Sequence, residues 1–129
     1  MSVEVPSLLI TDDDPAFRET LRFAFEPRGF RTLLAGDGEE ALKIVRRELV
    51  HVVILDMHMP KLTGLETLHM LKDFRALHPC ILLSAQLDDL IIEQARRAHA
   101  YLVLSKTVTV GQITGAVRQA LQRTYAWHG

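Results

Sequence analysis

The chain is poor in the features that would mark several large classes of protein. Cys80 is its only cysteine, so no internal disulfide can form, as expected of a reducing compartment. Aromatic residues are only 6% of the 129 residues, and no apolar run approaches the ~20 residues that a membrane helix needs. The start, Met1-Ser2-Val3-Glu4-Val5, has neither a basic segment nor a long apolar stretch, so it does not read as a signal peptide. Excess charge of either sign is also missing. Fifteen Lys and Arg face sixteen Asp and Glu, for a net charge of −1, which argues against direct gripping of a nucleic acid backbone. The six histidines, at 51, 58, 69, 78, 99 and 128, show no zinc-like spacing, and all but His58 read as surface or core residues. What remains is ordinary: 48% hydrophobic and 24% charged residues, the mixture of one globular domain over 1–129.

Short apolar runs alternate with longer amphipathic segments. Ser7–Thr11, Arg31–Ala35, Val52–Leu55, Cys80–Leu83 and Tyr101–Ser105 read as strands. Asp14-Pro15 opens a first helix, with Phe17, Leu21, Ala24 and Phe25 at helical spacing and Pro27 and Gly29 at its end. Asp37 caps a second, with Ala41, Leu42 and Val45 inward. The third carries Leu65, Leu68 and Leu71, the fourth runs from Leu90 to His99, and the fifth from about Val110 to about Ala126. Strand followed by helix five times predicts an α/β protein with helices on both faces of a parallel sheet. The flavodoxin-like (βα)5 doubly wound order 2-1-3-4-5 is the common small solution. Cys80 reads as core. Trp127 lies in the tail and reads as a docking residue or, preferably, an end fragment.

In such a sheet, sites form beyond the carboxyl ends of the strands. Asp12 and Asp13 leave strand 1, Asp56 leaves strand 3, Ser84 strand 4 and Lys106 strand 5, while Asp14 reads as a cap only. Three carboxylates against one ammonium leave a local charge of −2. Oxygen-only ligands and that charge suit a hard divalent cation such as Mg²⁺. The Ser84 hydroxyl and the Lys106 ammonium are donors for phosphoryl oxygens, and Asp56 is an oxygen nucleophile.

These residues carry a resemblance. Asp12-Asp13, then Asp56-Met57-His58-Met59-Pro60-Lys61-Leu62-Thr63-Gly64, then Ser84-Ala85, then Lys106 resemble the receiver domain of two-component response regulators over nearly the whole chain. The resemblance implies that Asp56 is the phosphoacceptor for a sensor histidine kinase or phosphotransfer protein. It also implies that Mg²⁺ is held by Asp13, Asp56, the His58 backbone carbonyl and, through water, Asp12. Ser84 and Lys106 would bind the phosphoryl group, and His58 and Gln86 would tune its lifetime. The domain would catalyse only its own phosphotransfer and dephosphorylation, in the cytoplasm. The implied output face is helix 4, strand 5 and helix 5, where Leu87, Leu90, Ile91 and Ile92 exceed one buried stripe and a homodimer is expected. Any output domain would lie outside these residues.

Two positions depart from the family pattern. Thr107 follows Lys106 where proline, often cis, is usual. A cis bond there would cost about 2.5–4 kcal/mol, so the loop is either trans and reshaped or strained. Val103 occupies the usual place of the aromatic switch residue that moves with the Ser84 hydroxyl. Tyr101, two residues earlier, would share its side in a regular strand. Either Tyr101 partly replaces the switch, or signalling uses the loop and helix 4 without one. Two rival functions compete: a receiver-like binding module that never uses phosphate, and a Mg²⁺-dependent hydrolase forming an aspartyl-phosphate. The second is disfavoured by His58, which stands where such enzymes carry an acid, and by the lack of a cap domain.

Overall fold

The computed structural model describes residues 3–74 and 78–129. Five parallel strands form one sheet in the order β2-β1-β3-β4-β5. They are β1 (Ser7–Thr11), β2 (Arg31–Ala35), β3 (Val52–Asp56), β4 (Cys80–Ser84) and β5 (Leu102–Ser105). The helices are α1 (Pro15–Phe25), α2 (Gly38–Arg47), α3 (Gly64–Phe74), α4 (Asp89–Arg97) and α5 (Val110–Tyr125). The flavodoxin-like order expected from the alternation is the one observed.

Strand periodicity divides the core in two. Leu9, Val53, Leu55 and Leu82 face a layer that includes Leu42, Val45, Leu68, Leu71 and Ala95 of α2, α3 and α4. Leu8, Ile10, Val52, Ile54, Ile81 and Leu83 face Leu21 and Phe25 of α1 and Ile113, Val117 and Leu121 of α5. Alternate side chains point to opposite faces, so strands covered on both sides read as continuous apolar runs. The three central strands are buried throughout, whereas β5 is half-buried along its length, as befits an edge.

Local chemistry sets the helix ends. Asp14 caps α1 by accepting from the Ala16 N–H, with Pro15 at the first position; Asp37 caps α2 through the Glu40 N–H at 2.8 Å. Pro27 lies in a 3₁₀ turn after α1 (Glu26–Arg28), and Gly29, at φ 89°, ends that turn in the left-handed conformation. Thr109 and Gln112 form a capping box on α5.

Three sequence expectations need correction here. Helix α4 stops at Arg97, because His99 adopts a left-handed φ of 62° that breaks the helical run. Tyr101 lies in a bend before β5, so the strand begins at Leu102. Trp127 is neither a docking residue nor a loose end. It is 9% exposed, and its ring packs edge-on against Phe30 at 5.6 Å, closing the α1/α5 side of the core.

Candidate functional site: an acidic cleft at the carboxyl edge of the sheet

The sheet ladder continues past the strand ends and fixes the loops that form the cleft. The Asp12 N–H donates to the Ala35 carbonyl at 3.0 Å, the Met57 N–H to Leu83 at 2.8 Å, and the Lys106 N–H to Ser84 at 2.8 Å. Arg18 of α1 braces the first loop by donating from Nη1 to the Asp12 carbonyl at 2.7 Å. The Asp56 loop is closed from below, where the Gly64 N–H donates to the Met57 carbonyl at 3.1 Å.

Asp12, Asp13 and Asp56 converge as the strand ends predict. One carboxylate oxygen from each lies within 4.8 Å of the others. Asp12 and Asp56 are buried, at 1% and 3% exposure, and Asp13 is exposed at the rim. Lys106 reaches over them: Nζ is 2.7 Å from Asp12 Oδ2 and 3.4 Å from Asp56 Oδ2. Asp56 Oδ1 also accepts the His58 N–H at 3.3 Å, and Asp12 Oδ1 accepts the Asp14 N–H at 2.9 Å.

Burial, followed by the neighbouring Asp12 charge, raises the Asp56 pKa; the His58 N–H and Lys106 oppose that rise without cancelling it. Burial works against the Lys106 ammonium, but Asp12 and then Asp56 outweigh it and raise its pKa. Asp12 Oδ2 is buried, and its partner is the Lys106 ammonium at 2.7 Å. This donor set is all oxygen, carries surplus negative charge and has a single ammonium to balance its two buried carboxylates. It fits a hard divalent cation.

Ser84 closes β4 and is fully buried. Its hydroxyl donates to the Gln86 carbonyl at 2.6 Å and accepts the Gln86 N–H at 3.3 Å, so the hydroxyl is engaged by its own loop. His58 and Gln86 are both exposed at the mouth. No cis peptide occurs among the described residues, so the Lys106-Thr107 bond is trans. The turn is held instead by hydroxyls: Ser105 Oγ and Thr107 Oγ1 lie 2.7 Å apart, and the Thr107 N–H reaches Ser105 Oγ at 3.2 Å.

Tyr101 and Val103 do not share a side. The Tyr101 ring packs with the α1/α5 layer, and its hydroxyl is 3.5 Å from Gln119 Oε1 of α5, while Val103 packs with the α2/α3/α4 layer. The bend before β5 removes the strand periodicity on which the expectation depended. Phe17 is the residue that sequence reasoning left in the core: its ring centroid lies 4.7 Å from Lys106 Nζ. A helix-spaced aromatic gives no signal of such a contact in sequence. Arg18 likewise escaped notice.

The family model for the response regulator receiver domain matches residues 8–118. The chain belongs to the response regulator receiver family. This receiver domain is 41% identical over 85 residues to the transcriptional activator protein PfeR of Pseudomonas aeruginosa, covering 66% of the chain and 28% of that protein. It is 30% identical over 120 residues to the probable transcriptional regulatory protein TcrX of Mycobacterium tuberculosis, covering 92% of the chain and 50% of that protein. The chain thus spans half or less of the length of these relatives. Among solved structures, the receiver domain of the Francisella response regulator 1452 superposes with a TM-score of 0.87 at 28% identity, covering 92% of this chain and 98% of that one. The protein is therefore a receiver domain of the two-component type, a signalling domain. No helix among its described residues is long and apolar enough to cross a membrane.

Proposed function

We propose that this receiver accepts a phosphoryl group on Asp56 from the phosphohistidine of a sensor histidine kinase or phosphotransfer protein. The observation that carries the reading is the convergence of three carboxylates within 4.8 Å beside one lysine, from three separate strand ends. Asp13, Asp56 and the His58 carbonyl would hold Mg²⁺ directly, and Asp12 through water. When bound, the cation neutralises charge on the transferring group. Within that frame, an Asp56 carboxylate oxygen forms a bond to phosphorus as the donor's phosphorus–nitrogen bond breaks. The electron pair leaves with the imidazole. Lys106 and the Ser84 hydroxyl then hold phosphoryl oxygens, which requires Ser84 to give up its bond to the Gln86 carbonyl. That exchange links the bond at Asp56 to the loop leading into α4. Reversal is hydrolytic: water attacks phosphorus, the acyl oxygen–phosphorus bond breaks, and the Asp56 carboxylate and inorganic phosphate are released. Positioning and charge neutralisation supply most of such catalysis. His58 and Gln86 would tune the approach of that water, a role their exposure supports.

The output face in this reading is α4, β5 and α5. Leu87, Leu90 and Ile92 are exposed there, at 41%, 66% and 44%, while Ile91 turns to the core. That row supports a phosphorylation-dependent homodimer. Residues 1–129 form one receiver, working in the cytoplasm and controlling an output domain beyond this chain. Tyr101, tied to α5 rather than aligned with Val103, supports signalling through the Ser84 loop and α4 in place of an aromatic switch.

The test is incubation with acetyl phosphate or phosphoramidate and Mg²⁺, or with a cognate kinase, read by intact mass and by sedimentation. Wild-type protein gains one phosphoryl group and a larger sedimenting mass, and Asp56→Asn gains neither. Wild-type protein that stays unmodified with every donor, kinase included, would sink the reading.

A further inference from the structure

The Lys106 ammonium is met from three directions. Two are the carboxylates of Asp12 and Asp56. The third is the ring of Phe17, 4.7 Å from Nζ to the centroid, inside the ~6 Å reach of a cation–π attraction. Phe17 stands in the first turn of α1, at the top of the stripe whose lower members, Leu21 and Phe25, are fully buried. It is half-buried, where the stripe runs out into the cleft.

The ring differs in kind from the other two contacts. Both carboxylates belong to the acid cluster, so their hold on Lys106 weakens together when that cluster shares its charge with a cation. It weakens again when an Asp56 oxygen becomes bonded to phosphorus. A lysine side chain is a flexible stem with much rotamer freedom. The hydroxyls of Ser105 and Thr107 brace the backbone on either side of Lys106 and make no contact with its stem. The Phe17 ring has no formal charge and no ligand atom. It keeps its attraction for the ammonium through every state of the cluster.

We propose that Phe17 is the positioning residue for Lys106, its ring face holding the ammonium over the Asp12–Asp56 edge while the carboxylates are neutralised. The role rests on the phosphoacceptor reading of Asp56. It predicts that the aromatic face matters, beyond the volume it fills.

The experiment compares Phe17→Leu, which keeps an apolar side chain, with Phe17→Tyr, which keeps the ring, each also in a Lys106→Met background. The first readout needs neither metal nor donor: the Lys106 ε-methylene signals in the NMR spectrum. They are shifted upfield by the ring in wild type and Phe17→Tyr, and return to ordinary values in Phe17→Leu. The second is the phosphorylation rate at saturating acetyl phosphate and Mg²⁺. Phe17→Leu is expected to be about fivefold slower, equivalent to ~1 kcal/mol at ~1.4 kcal/mol per tenfold, and Phe17→Tyr near wild type. With Lys106→Met, changing Phe17 to Leu has no further effect, because the ring acts only through the ammonium. Equal rates for wild type and Phe17→Leu would overturn the role. So would a Phe17→Tyr as slow as Phe17→Leu, or a full additional loss on Lys106→Met. Wild-type protein that keeps the upfield shift but takes no phosphoryl group from any donor defeats the phosphoacceptor reading, and the role of Phe17 falls with it.

Discussion

At Gly64, a single carbon atom would disturb the cleft. A Cβ there would lie 2.5 Å from the Asp56 carbonyl oxygen and 2.9 Å from Met57 Cα. Both are backbone atoms, so no rotamer change can relieve the contact. Either α3 retreats or the loop carrying Asp56 moves. Gly64→Ala should cost about 1–3 kcal/mol in urea unfolding, as overpacking does, and slow phosphorylation of Asp56. Lost stability with an unchanged rate would mean that α3 yields and the loop does not. The neighbouring Lys61, at φ 68°, takes a left-handed conformation between Asp56 and α3, and its ammonium pairs with Asp37 at 3.5 Å. The acid residues were legible in sequence because each follows an apolar run that a strand must occupy. Phe17 was not. Spaced four residues from Leu21 and eight from Phe25, it reads as core until the fold brings the Lys106 side chain, from the loop after β5, against its ring.

The elements are tied together most tightly at the opposite edge of the sheet. His51, ahead of β3, accepts the Ser7 N–H on Nδ1 at 2.9 Å and returns its own N–H to the Ser7 carbonyl at 2.9 Å. Tyr125, the last residue of α5, donates its hydroxyl to the His51 carbonyl at 2.7 Å and packs its ring edge-on at 5.3 Å. Burial lowers the His51 pKa and pushes the Tyr125 hydroxyl up to about 12. A proton on Nδ1 would face the Ser7 N–H, so the folded state favours the neutral ring. A depressed folded pKa gives stability that is complete above the unfolded value of ~6.5 and is lost as pH falls towards the folded value. Urea midpoints should therefore drop between pH 7 and pH 5, above the range where ordinary carboxylates titrate. His51→Gln should flatten that slope from a lower starting stability; an unchanged slope would exonerate His51. Alternation made the five strands and five helices readable. The ends of β5 and α4 were not, because a left-handed His99 and a bend at Tyr101 are backbone events without a proline or glycine to announce them.

Across the whole molecule, a formal charge of −1 conceals a local excess. The sheet gathers three carboxylates at one end against one lysine, and folding must hold them there. The raised pKa of Asp56 shows the sign: its ionised form is disfavoured by burial in the native state and destabilises it above the unfolded carboxylate range. Two of these acids at up to 4.8 Å repel by a few kcal/mol at an effective dielectric constant near 20, and Lys106 offsets part of that. Asp56→Asn should thus raise the metal-free unfolding temperature, by about 1–2 kcal/mol of stability. Mg²⁺ should do the same for wild-type protein by binding the native state alone. At ten times its dissociation constant the gain is ~1.4 kcal/mol, about 5 °C for a chain of this size. Asp13 separates site binding from general screening, because it is exposed at the rim and its loss removes a ligand without uncovering the core. In thermal melts, Asp13→Asn should match wild type closely without metal and lose most of the Mg²⁺ shift. A chelator should return the wild type to its metal-free value. If Asp13→Asn keeps the full shift, the cation is acting on scattered surface acids, and the cleft is not where the folded protein holds it.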